Sequence, residues 1–116
     1  VKNVCPFRTR SRCRGLHLQD RGPYQEVPAH IMPQLQLEML ASGTATNVLL
    51  SCSATRGTNM FRVPRDAEYQ RLMLFLVSKF YTDFVLAGCA PPPNFFAELP
   101  QQQQLIRRTR ELCTRL

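Results

Sequence analysis

The chain has 116 residues, 44% of them hydrophobic and 20% charged, with 15 Lys+Arg against 8 Asp+Glu for a formal charge of +7. That length allows one domain or less with a single modest core, and the balance of apolar and charged residues fits a folded segment rather than a disordered one. No run of about 18 apolar residues is present to span a bilayer, so membrane partners are not expected. The first residues are Val1-Lys2 rather than Met, and the chain reads as part of a longer protein.

Val1 to Phe7 reads as the end of a buried strand that leaves through Cys5-Pro6-Phe7, where proline stops the ladder. Arg8 to Gln25 is polar and basic, with Gly15 and Gly22-Pro23, and is expected as an exposed loop with one helical turn near Leu16–Gln19. Within it Arg8, Arg10, Arg12 and Arg14 alternate, so an extended backbone places four guanidiniums on one side. That geometry suits a phosphate track, and the plainer alternative is solvated charge or a targeting tract.

Pro28 suits a first helical turn, and the helix is expected to run to about Ser42 with Gly43 as its stop. Val48 to Ser53 reads as a central strand, Arg56-Gly57 as a turn, and Met60 to Val63 as a returning strand that Pro64 demotes towards an edge or exit. Asp66 is expected to cap the longest helix, whose Tyr69, Leu72, Met73, Leu76, Val77, Phe80 and Phe84 recur at three and four and form a packing face. Gly88 ends it. The remainder divides into a Pro/Gln-rich linker, 89–104, and a basic helix or tail, 105–116, carrying Arg107, Arg108, Arg110 and Arg115.

Five cysteines, Cys5, Cys13, Cys52, Cys89 and Cys113, form no C-x-x-C pair, and His17 and His30 complete no zinc spacing. Free thiols of an intracellular protein are expected, with Cys52 as a small core residue. The costly feature is Gln34-Leu35-Gln36, inside a helix otherwise carrying Ile31, Met32, Leu37, Met39 and Leu40. At least one of these amides must face protein, and a buried amide without partners costs about 1–3 kcal/mol. The alternatives are that Gln34 caps a neighbouring loop, or that both glutamines mark the wet face with Glu38.

Taken in order, Lys2, Cys5-Pro6-Phe7, the Pro28-to-Met39 segment with Gln34 and Gln36, and Arg65-Asp66 leading a helix with Phe80-Tyr81 resemble the lambda-exonuclease-like, or YqaJ-type, viral recombinase family. The resemblance covers about residues 1–85. It implies an α/β fold, the C-terminal half of a restriction-endonuclease-like core of the PD-(D/E)XK nucleases, with a mixed sheet flanked by helices over residues 1–88. It also implies Mg²⁺- or Mn²⁺-dependent hydrolysis of DNA at duplex ends, for recombination or repair, and relatives that assemble as ring-like trimers.

Carried over by position, Lys2 is the motif lysine, Gln34 the active-site glutamine and Gln36 its companion. Arg8, Arg10 and Arg12 are DNA contacts, and the Val1 carbonyl contributes to the metal shell. The family joins its lysine directly to Cys-Pro-Phe, whereas Asn3-Val4 intervene here, so either a bulge lengthens the strand or the lysine register differs. The metal-binding Asp and Glu are expected upstream of Val1, which leaves the 116 residues inactive alone. Two readings from other classes are a non-enzymatic basic nucleic-acid-binding module and a small interaction domain using the Gln-rich tail.

Overall fold

A computed structural model describes residues 20–116 of the chain. The expected strand at Val1–Phe7 and the turn near Leu16 lie outside the described residues, as do Lys2, Arg8, Arg10, Arg12 and the Val1 carbonyl.

The first helix, α1, is Met32–Ser42, preceded by a turn in which the Pro28 carbonyl accepts from the Ile31 and Met32 N–H groups at 3.0 and 3.3 Å. Pro33 sits in the first turn, where its missing N–H would have no helical partner in any case. Gly43 ends the helix with φ 73°, and its N–H returns to the Met39 carbonyl at 3.0 Å. The buried side chains Met32, Leu35, Gln36 and Met39 fall at i, i+3, i+4 and i+7, one face of the helix.

Strands β1, Thr46–Cys52, and β2, Thr58–Pro64, pair antiparallel from Thr46↔Pro64 to Cys52↔Thr58. The hairpin closes where the Ser53 N–H meets the Gly57 carbonyl at 2.8 Å, with Gly57 at φ 92°. A two-residue strand β3, Thr114–Arg115, adds to the other side of β2, so the described sheet has the order β1-β2-β3. Within the described sheet β2 is therefore central and β1, expected as a central strand, is an edge. Burial explains it. On β2, Asn59, Phe61 and Val63 are buried in strict alternation, whereas β1 is half-buried on one face and exposes Val48 and Leu50 by 50% and 54% on the other. Cys52, expected in the core, belongs to that outward set and is exposed.

Helix α2, Ala67–Phe80, starts as expected at Asp66, whose side chain accepts from the Tyr69 N–H. Tyr69, Leu72, Met73 and Leu76 bury on the core, which they share with Phe61 and Val63 of β2. The expected stripe then breaks. Val77 is 59% exposed, and the helix continues as a π-helical turn, Tyr81–Val85, whose wider winding shifts the register of the next side chains. Phe80 and Phe84 pack instead with Phe95 and Phe96, with centroids 4.7–6.4 Å apart. That cluster turns the chain back after Pro91-Pro92-Pro93.

The last helix, α3, is Pro100–Leu112, and so begins inside the stretch expected as a linker. It lies against α2 through Leu105 and Thr109, which are 6% and 2% exposed, and delivers the chain to β3. Among the described residues the result is a mixed α/β unit in which three α-helices share a core with one face of a three-stranded antiparallel sheet. Among the described residues no helix is long and apolar enough to cross a membrane.

Candidate functional site

Two positions along an α-helix turn a side chain by about 200°, so Gln34 and Gln36 point to opposite sides of α1. Gln36 is fully buried. Its Nε2 donates to the Pro64 carbonyl at 2.9 Å, and its Oε1 accepts from the Asp66 N–H at 3.1 Å. Gln70 of α2 donates to the Gln36 main-chain carbonyl at 3.1 Å and to Oε1 at 3.4 Å. One amide thus joins α1 to the end of β2 and the start of α2. Both polar atoms of that side chain have partners, which removes the penalty expected of an unpaired amide.

The same junction continues to α3. The Asp66 carboxylate accepts from the Tyr69 N–H at 3.0 Å and pairs with Arg108, whose Nη2 lies 2.6 Å away; Arg108 also reaches Glu111 at 3.1 Å. Burial opposes ionisation of Asp66, but the hydrogen bonds from Tyr69 and Arg108 outweigh it and hold the carboxyl below its ordinary range. Beside it, burial pushes the Tyr69 hydroxyl up to about 12, so this side chain stays neutral.

Gln34 is on the exposed side and donates to Glu38 Oε1 at 2.9 Å. Asn47, at the start of β1, donates to Glu38 Oε2 at 2.8 Å, while its own Oδ1 accepts from the Val48 N–H at 2.8 Å. The amides of Gln34 and then Asn47 lower the pKa of Glu38. A shallow cleft opens beside this group, lined by Glu38, Ser42, Thr44, Thr46 and Asn47. Sequence reasoning found both glutamines, and Glu38 beside Gln34, but not the residues that tie them to the rest of the fold. Gln70, Asn47 and Arg108 are ordinary polar residues whose meeting depends on chain crossings that no local pattern signals.

Asp20 stands elsewhere. Its carboxylate accepts from Ser53 Oγ at 2.6 Å, from Thr55 Oγ1 at 2.7 Å, and from the N–H groups of Thr55 and Gly22, both at 2.9 Å. These bonds, those of Ser53 and Thr55 first, hold its pKa far below the usual carboxylate range. They also tie the chain before α1 to the far end of the β1–β2 hairpin. Asn47, near the start of β1, and Ser53, just past its end, are six residues apart, about 20 Å, so Asp20 does not join Gln34. His30 is exposed.

Mg²⁺ and Mn²⁺ prefer several oxygen ligands, carboxylates foremost. Among the described residues no three His, Cys, Asp or Glu side chains converge, and both oxygens of Glu38, the carboxylate beside Gln34, are engaged by amides. The described residues alone do not fit such an ion. No family model, curated protein or solved structure matches the chain.

Proposed function

We propose that the chain is the C-terminal part of a DNA exonuclease that hydrolyses phosphodiester bonds at duplex ends, built on a restriction-endonuclease-like core. The observation that carries this reading is the exposed amide of Gln34. It is held by Glu38, which Asn47 ties to the start of β1, on a helix whose other glutamine is locked inside the protein. An amide fixed in place at a surface can hydrogen-bond a phosphate oxygen or an attacking water, the role the resemblance gives to Gln34. In this reading the other residues of the resemblance keep the roles it gives them. Lys2 activates the water, Arg8, Arg10 and Arg12 hold phosphates, and the acidic ligands of Mg²⁺ lie upstream of Val1. Phosphate contacts of this kind position the duplex without reading its sequence.

The test uses a longer polypeptide that adds the upstream Asp and Glu, assayed on linear duplex DNA with Mg²⁺. It is expected to degrade the duplex, and the 116 residues alone are expected not to. Lys2→Ala and Gln34→Ala are each expected to lower turnover by about 10²-fold or more, the scale of proton-transfer contributions, with little loss of DNA affinity. Hydrolysis by the 116 residues alone, or full turnover in both variants, refutes the reading. Binding without cutting by the longer polypeptide returns the basic binding module to first place.

A further inference from the structure

We propose that Gln36 is a positioning residue that sets the rotation of α1 and thereby the outward direction of Gln34; the catalytic consequence rests on the nuclease reading above. Apolar burial does not fix that rotation by itself. Met32, Leu35 and Met39 share the buried face, but Leu40 and Leu37 carry apolar surface on round the helix to about 140° from Met32, and Leu37 remains 53% exposed in the face that was not chosen. A helix with apolar residues on most sides can pack in more than one rotation at similar hydrophobic gain.

The amide of Gln36 separates these alternatives. Its donor end meets the Pro64 carbonyl and its acceptor end meets the Asp66 N–H, two main-chain groups separated by one residue at the β2–α2 junction. Gln70 then closes on Gln36 from α2. Rotating α1 by one residue puts an apolar side chain in that place, Leu35 or Leu37, and removes the partner that both main-chain groups have in Gln36. A single buried polar residue that fixes register is a recognised use of buried polarity. With Gln36 seated, Gln34 must face outward, where Glu38, itself held by Asn47, receives it. Gln36 therefore acts through Gln34 and touches no nucleic acid itself.

Two readouts test this. In the 116-residue chain, ¹⁵N-resolved NMR follows the side-chain amides of Gln34 and Asn47. Gln36→Met, close in volume and without the amide, is expected to shift or double both resonances while the fold persists. Gln70→Met, which removes the donors closing on Gln36 together with a 3.4 Å acceptor of Arg65, is expected to shift them less, and it serves in place of Gln36→Met if that variant does not fold. Unmoved Gln34 and Asn47 resonances in a folded variant overturn the proposal.

In the longer, DNA-cutting polypeptide, Gln36→Met is expected to lower kcat about 10²-fold with KM for duplex DNA unchanged, the scale of a small misplacement of a catalytic group. In a Gln34→Ala background the same substitution is expected to change kcat little, because its effect passes through Gln34. An undiminished loss in that background refutes action through Gln34. A longer polypeptide that never cuts refutes the nuclease reading, while the NMR result still decides whether Gln36 orients α1.

Discussion

Asp66 joins α2 and α3 through one carboxylate, and its two interactions can be separated by substitution. The side chain is 7% exposed, caps α2 through the Tyr69 N–H and pairs with Arg108 of α3. Loss of an N-cap typically costs about 1 kcal/mol. A hydrogen bond to a charged group contributes about 1.5–3 kcal/mol when enclosed, but Arg108 is 42% exposed, and solvent screening reduces the pair to about 1 kcal/mol. Asp66→Ala is therefore expected to cost about 2 kcal/mol and Asp66→Asn, which still caps, about 1 kcal/mol. In a domain of this size each kcal/mol corresponds to about 4–8 °C in Tm, so urea and thermal unfolding followed by circular dichroism resolve the two variants.

The pH dependence has a definite sign. The Asp66 carboxyl is lowered in the folded state, so its contribution is full above the unfolded pKa of about 3.9 and disappears as pH falls through the lower folded value. The difference between the parent chain and Asp66→Asn should stay level from pH 7 to 5 and close below about pH 4. In an Arg108→Ala background the gap between aspartate and asparagine should shrink towards zero at every pH. Equal losses for Asn and Ala, or a loss below about 0.5 kcal/mol for Ala, would refute the division between cap and ion pair.

Three further outcomes come from the geometry. Leu105→Ala, at a side chain 6% exposed between α3 and α2, is expected to cost about 2–5 kcal/mol in urea unfolding, whereas a detached tail would show no change. Gly43→Ala meets no atom within 4 Å but must adopt φ 73°, so a loss of about 1 kcal/mol in unfolding free energy is expected from backbone conformation alone. Asp20→Ala removes the acceptor of the Thr55 and Gly22 N–H groups; hydrogen exchange at both should accelerate. In the parent chain the same acceleration should appear only in strong acid, because the Asp20 carboxyl is lowered in the folded state.

Features governed by near neighbours were legible in the residues themselves. Asp66 reads as a cap because a carboxylate can reach the N–H three residues on, and Gly43 reads as a stop because only glycine takes a left-handed backbone cheaply. The Arg56-Gly57 turn and the period of Tyr69, Leu72, Met73 and Leu76 are equally local. The pair Gln34 and Gln36 stood out for the same reason, two amides in an apolar helix, and the need for one to face protein is met by Gln36.

Which of the two turns inward was decided by tertiary structure. Residues of α1 alone offer apolar contacts on most sides, and the choice is made by the Pro64 carbonyl and the Asp66 N–H, about thirty positions away. Strand order in the described sheet was decided in the same way, because the short β3 arrives after α3 and makes β2 central there. Residues 105–116 show a weak apolar face, Leu105, Ile106, Leu112 and Leu116, that does not say what it packs on. Their place on α2 comes from the aromatic cluster of Phe80, Phe84, Phe95 and Phe96, which reverses the chain, and from the ion pair that α3 makes with Asp66. Local stereochemistry sets caps, turns and periods within one or two helical turns. Burial and hydrogen-bond satisfaction between distant segments select among the packings that those local rules allow.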